Sequence, residues 1–90
     1  MIYIQLTNGF GNNLFQYNAA RLLSEHHGTG VIGIPPEKNY YGISSLEKIG
    51  LSFDETPPNN CIVATGDQHF VKMFDKKYAN SNILLSGYFE

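Results

Sequence analysis

Two glycines and two asparagines crowd into five positions near the start of this chain. The stretch Asn8-Gly9-Phe10-Gly11-Asn12-Asn13-Leu14-Phe15-Gln16-Tyr17 follows directly on the apolar run Ile2–Leu6. Glycine lets a backbone approach a ligand closely and adopt positive φ. A helix starting here presents free N–H donors and roughly half a positive charge, a good place for phosphates and other anions. The asparagine amides add hydrogen bonds suited to a sugar or a nucleotide. The competing reading is a tight turn that packs a helix close to a strand. Two phosphate cradles are excluded by residue type. In a Gly-x-Gly-x-x-Gly dinucleotide fingerprint Gly9 and Gly11 fit, but Leu14 takes the third position, and the second apolar run ends in Ile34-Pro35 rather than near an acidic residue. A P-loop is excluded because no Gly-Lys-Ser/Thr occurs.

Other residues with chemical capacity are weighed against plainer roles. Asp67 has the chemistry of a general base, yet its place before an apolar segment reads as a helix cap. His69, between Gln68 and Phe70, reads as a surface or half-buried histidine ahead of a catalytic one. His26 and His27 are adjacent on a helix, point to different sides and make a poor metal pair, while the helix end favours imidazolium. Tyr40 and Tyr41 read as packing residues. Cys61 is the only cysteine, so it has no disulfide partner and offers no metal site; it reads as a small buried hydrophobe.

These residues need elements to position them. Ile2–Leu6, Val31–Ile34, Cys61–Ala64 and Ile83–Leu85 read as strands. Asn12 is a natural N-cap for a helix over Asn13–His27, with Leu14, Phe15, Ala19, Leu22 and Leu23 as its apolar arc. Gln16, Ala20, Arg21, Ser24 and Glu25 fall opposite or at the borders, and Asn18 sits inside the arc as a misfit. Gly28 is the expected stop. Ser44-x-x-Glu47 resembles a capping box opening a short helix over Ser45–Ile49. Gln68–Lys77 is ambiguous. Strands alternating with helical patterns predict an α/β fold with a mainly parallel sheet and flanking helices. The chain's 90 residues make one small domain. Net charge is −2 without a basic cluster, which gives no support for nucleic-acid binding. The sequence shows no apolar stretch near the ~20 residues that span a bilayer, no signal-peptide pattern and no Asn-x-Ser/Thr sequon, so a cytoplasmic setting is the expectation.

Residues 8–17 resemble the N-terminal signature of the α-1,2-fucosyltransferases of glycosyltransferase family 11, approximately Gly-Gly-Leu-Gly-Asn-Gln-Met/Leu-Phe-Gln-Tyr-Ala. Leu85-Ser86-Gly87-Tyr88-Phe89-Glu90 resembles a second family block, Leu-x-Gly-Tyr-Phe/Trp-Gln. Departures are Asn8 for the first glycine, Asn13 for glutamine, Asn18 for alanine and Glu90 for glutamine. Asn18 puts an amide where a helix–sheet contact is expected. The resemblance implies a Rossmann-like N-terminal domain of a GT-B-type glycosyltransferase, with Gly9, Phe10, Gly11, Asn12 and Asn13 as substrate-binding residues lining the donor cleft. It implies inverting transfer of fucose from GDP-fucose to a galactoside hydroxyl, with GDP-fucose as donor substrate, a glycan acceptor, and no cofactor or metal. Family members are much longer and carry a later His-x-Arg-x-Gly-Asp donor motif. It does not occur here, where Arg21 is the only arginine. The expectation is therefore a fragment or shortened relative lacking the donor-binding half and inactive alone. The alternative is a non-catalytic α/β module for binding or self-association. A homo-oligomer is expected in either case, through an unpaired sheet edge near Ile83–Phe89.

Overall fold

The computed structural model describes residues 1–6, 10–35, 52–53 and 56–86; of residues 10–14, 53 and 67 the backbone alone is described. The elements are β1 (Ile2–Gln5), α1 (Phe10–His27), β2 (Val31–Ile34), β3 (Ser52–Phe53), β4 (Ile62–Thr65), α2 (Gly66–Lys72), a 3-10 turn (Lys76–Tyr78) and β5 (Ile83–Ser86). The strands form one parallel sheet in the order β3-β2-β1-β5-β4. This is a small α/β domain with a parallel sheet and flanking helices. The four strands read from the sequence are all present, shifted by at most one residue, while β3 escapes the sequence because two residues carry no periodicity. The helix expected over Ser45–Ile49 lies outside the described residues.

Register explains the core. Ile2 pairs with Val31 and Ile83, and Ile4 with Gly33 and Leu85. Side chains alternate between faces along a strand, so Ile2, Ile4, Ile83 and Leu85 share one face with Ile62 and Ala64 of β4. Ala19, Ala20 and Leu23 of α1 pack on that face, and so does Met73, just past α2. The two described α-helices therefore cover the same side.

Helix α1 departs from the sequence reading in phase. Its buried residues are Gln16, Ala19, Ala20, Leu23 and Ser24, while Phe15 is 64% and Leu22 60% exposed. Asn18 is exposed, so it makes no helix–sheet contact. The buried face is turned by about one residue, ~100° at 3.6 residues per turn. The strand against which it packs needs small residues for close approach, and two alanines supply it where a stripe of large side chains would hold the helix away. The helix also starts earlier, at Phe10, so Asn12 lies inside the first turn and is not the N-cap.

At its other end the expected stop holds. Gly28 has φ 67°, its N–H reaches the Glu25 carbonyl at 3.4 Å, and the Thr29 N–H reaches the Ser24 carbonyl at 2.9 Å. This pair of bonds is the Schellman arrangement, which satisfies two orphan carbonyls. His26 and His27 do not diverge as expected. Their Nε2 atoms lie 2.7 Å from the Phe74 carbonyl and 2.6 Å from the Met73 carbonyl. A carbonyl only accepts, so each Nε2 donates. The two imidazoles thereby tie the end of α1 to the chain just past α2.

The strand near Ile83 is not an edge. Strand β5 lies between β1 and β4, paired on both sides, because the chain reaches β4 first and returns inward. Among the described residues the sheet edges are β3 and β4.

Candidate functional site

All five strands run the same way, so their C-terminal ends share one edge of the sheet. In open α/β sheets, ligands bind outside that edge. Here β1 is central and runs toward α1, which begins at Phe10. Of the expected site residues, Phe10, Gly11, Asn12 and Asn13 form the opening turn of α1 by backbone, and Gly9 lies outside the described residues. Helix α1 is 18 residues long, so its first turn carries the free N–H groups and partial positive charge expected of a helix start.

Two amides brace this junction. Gln16 is fully buried, and its Nε2 donates to the Gln5 carbonyl at 3.0 Å. Gln5 Nε2 in turn donates to the Ile34 carbonyl at 3.3 Å, across to the end of β2. Helix α1 is thus pinned to the last residue of β1, and β1 to β2. The sequence reading placed Gln16 at the polar border of the helix. Buried glutamine carries no periodic signal, since it is buried only where a strand-end carbonyl awaits it.

Arg21 is not available to the helix start. Its Nη1 donates to the Tyr17 hydroxyl at 3.1 Å and its Nε to Glu25 Oε1 at 3.2 Å. Those two partners, Tyr17 first, push the guanidinium pKa upward. Along α1 it stands ~14 Å from Asn12 at 1.5 Å per residue.

A second strand–helix junction lies at the same edge. Strand β4 passes into α2 with no intervening residue, because Gly66 takes φ 76°. Thr65 is the N-cap residue of α2, without a side-chain cap bond; Asp67, expected to cap, lies inside the helix. His69 folds back, its Nδ1 3.3 Å from the Thr65 backbone nitrogen, which donates to it, and 3.2 Å from Thr65 Oγ1. Cys61, just before β4, is half-buried, and desolvation pushes its thiol pKa up. Among the described residues no group of three or more His, Cys, Asp or Glu is placed to hold a metal ion. No described helix is long and apolar enough to cross a membrane.

Of the two blocks that carry the fucosyltransferase resemblance, residues 10–17 lie in α1 and Leu85 and Ser86 end β5, while residues 8–9 and 87–90 lie outside the described residues; α1 follows β1 in the chain. These strands are neighbours, with Ile4 opposite Leu85, about 4.8 Å apart. No protein-family model, curated protein or solved structure matches the chain. The resemblance accordingly rests on the residues of those two blocks.

Proposed function

We propose that this chain is a Rossmann-like glycosyltransferase domain of the α-1,2-fucosyltransferase type, in which the β1–α1 junction forms one wall of a GDP-fucose cleft. One observation carries the reading. Two blocks separated by nearly the whole chain leave from adjacent parallel strands at the same edge of the sheet. A shared binding site would draw on two segments that are distant in the chain and leave neighbouring strands at one edge of the sheet. Gly9, Phe10, Gly11, Asn12 and Asn13 are the substrate-binding residues in this reading. The glycines permit close approach, the helix start offers N–H donors to a phosphate oxygen, and the asparagines bond the sugar or ribose. The glycan acceptor lies across the cleft, and the reaction is an inverting displacement at the fucose carbon.

Titration of the chain with GDP-fucose, followed by backbone amide NMR, tests this. Shifts clustered at Gly9, Gly11, Asn12 and Asn13 are expected. Shifts elsewhere, or none with ligand raised well above the millimolar range, would overturn the reading.

A second reading is a non-catalytic module that self-associates. The observation favouring it is Val63, 55% exposed on β4, the outermost described strand on its side of the sheet. Light scattering that shows a monomer at tens of micromolar would remove it.

A further inference from the structure

We propose that β4 is the pairing edge for a second copy of this chain, the two β4 strands running antiparallel about a two-fold axis at Val63, with His69 limiting the strength of the pairing. The proposal rests on the self-association reading above and is independent of the donor cleft.

The ladder fixes which residues of β4 turn outward. The Ile62 N–H donates to the Asn82 carbonyl at 2.8 Å, and the Ile83 N–H to the Met1 carbonyl at 3.1 Å. Backbone groups alternate sides along a strand, so Ile62 and Ala64 bond toward β5 while Val63 and Thr65 turn theirs away from it. Thr65 agrees with this phase, because its N–H donates to His69 Nδ1 at 3.3 Å rather than to a strand. The N–H and carbonyl of Val63 therefore lie at the rim, on a strand paired on one side only among the described residues.

Edges of this kind are blunted in other proteins by a lysine, a proline or a bulge. Ile62-Val63-Ala64-Thr65 holds no charge and no proline, and Val63 is 55% exposed. On the face away from the two described helices, Val63 stands opposite Leu84, Leu84 opposite Tyr3, and Tyr3 opposite Ile32. This row of large side chains crosses the sheet and runs out at Val63, its most exposed member.

A second copy fits because the strand is its own complement. With Val63 opposite Val63 of the second copy, each N–H meets the other's carbonyl, the closely spaced pair of an antiparallel ladder, with Cα atoms ~5.5 Å apart. The contact is isologous and closed, the row continues into its own image, and no like charges oppose each other along β4. In this register Thr65 faces Cys61 of the second copy. The Thr65 N–H is already held by His69, an exposed side chain, so pairing there must displace the imidazole. His69 thereby weakens the pairing without closing the edge. A pair of four-residue strands is smaller than a standard interface and gives a dimer in exchange with monomer.

Sedimentation velocity on the full chain at tens of micromolar, with amide hydrogen exchange at rising concentration, tests this. A monomer–dimer equilibrium is expected, in which the Val63 N–H exchanges more slowly as concentration rises while that of Ala64, bonded to β5, does not change. Val63→Lys sets two ammonium groups opposite each other and should leave a monomer. His69→Ala releases the Thr65 N–H and should tighten the dimer about fivefold, the worth of one net hydrogen bond. Where Val63→Lys does not fold, the wild-type exchange at Val63 decides. A dimer that Val63→Lys leaves intact, or one in which exchange at Val63 does not slow, overturns the β4 pairing and leaves self-association standing. A dimer no tighter in His69→Ala overturns the register. A monomer at that concentration overturns the pairing and the self-association reading together, and leaves the fucosyltransferase reading as it stands.

Discussion

The fully buried Gln16 donates through Nε2 to the main-chain oxygen of Gln5 at 3.0 Å, joining the second turn of α1 to the last residue of β1. The bond spans the glycine-rich stretch between them. Residues 5 and 16, which flank that stretch, are thereby tied together by one side chain.

Gln16→Leu is expected to destabilise the domain by about 1–3 kcal/mol, since it keeps volume and leaves the part-buried Gln5 carbonyl without this donor. Urea unfolding measures it. A change below about 0.5 kcal/mol would mean that packing alone holds α1 to β1.

The phase of α1 is checked by two adjacent leucines. Leu23 is fully buried and Leu22 is 60% exposed. Leu23→Ala should cost about 2–5 kcal/mol, and Leu22→Ala should stay within about 0.5 kcal/mol. Equal losses would contradict the rotation of the buried face.

Gly28 and Gly66 have positive φ and open space where a Cβ would go, whereas Gly30 does not have positive φ. Alanine at 28 or 66 is expected to cost about 1–2 kcal/mol from backbone conformation alone. At Gly30, where an added Cβ meets Met1 side-chain atoms at 3.5 and 3.6 Å in ordinary contact, alanine should be near neutral. Thermal unfolding of the three variants separates conformation from crowding.

Burial raises the Cys61 thiol pKa. The thiolate is the form that folding disfavours, so this group costs no stability below the unfolded thiol pKa; as pH rises past that value the unfolded state ionises first, and folded stability declines until the raised folded pKa is reached. Reaction with a disulfide reagent should accordingly be slower for folded chain than for chain in denaturant at mildly alkaline pH. Equal rates would refute it.

The isolated chain is expected not to transfer fucose. Stabilising the departing GDP is an electrostatic task, arginine is its usual bidentate ligand, and Arg21 is engaged with Tyr17 and Glu25 away from the helix start. Affinity for GDP should be no better than millimolar, about −4 kcal/mol. Calorimetry showing micromolar binding, or measured transfer by the purified chain, would overturn this.

Alternation of short β-branched runs with helical spacing, closed by Gly28, was enough to read four strands, the long helix and the parallel class, because those signals are local. Residues 8–17 could be singled out for the same reason: glycine spacing and helix chemistry are properties of a short segment. Strand order was not legible. Nothing local says that β5 inserts between β1 and β4, so the edge expected at Ile83 turned out to be interior. Nor could the sequence tell that a glutamine would be buried while Phe15 and Leu22 faced solvent, or that Thr65 would meet His69. Hydropathy ranks side chains by type, whereas burial follows from what stands opposite, and for Gln16 the carbonyl at the end of β1 made that choice. The pairing of β1 with β5, at opposite ends of the described chain, is likewise decided only when the whole sheet has assembled.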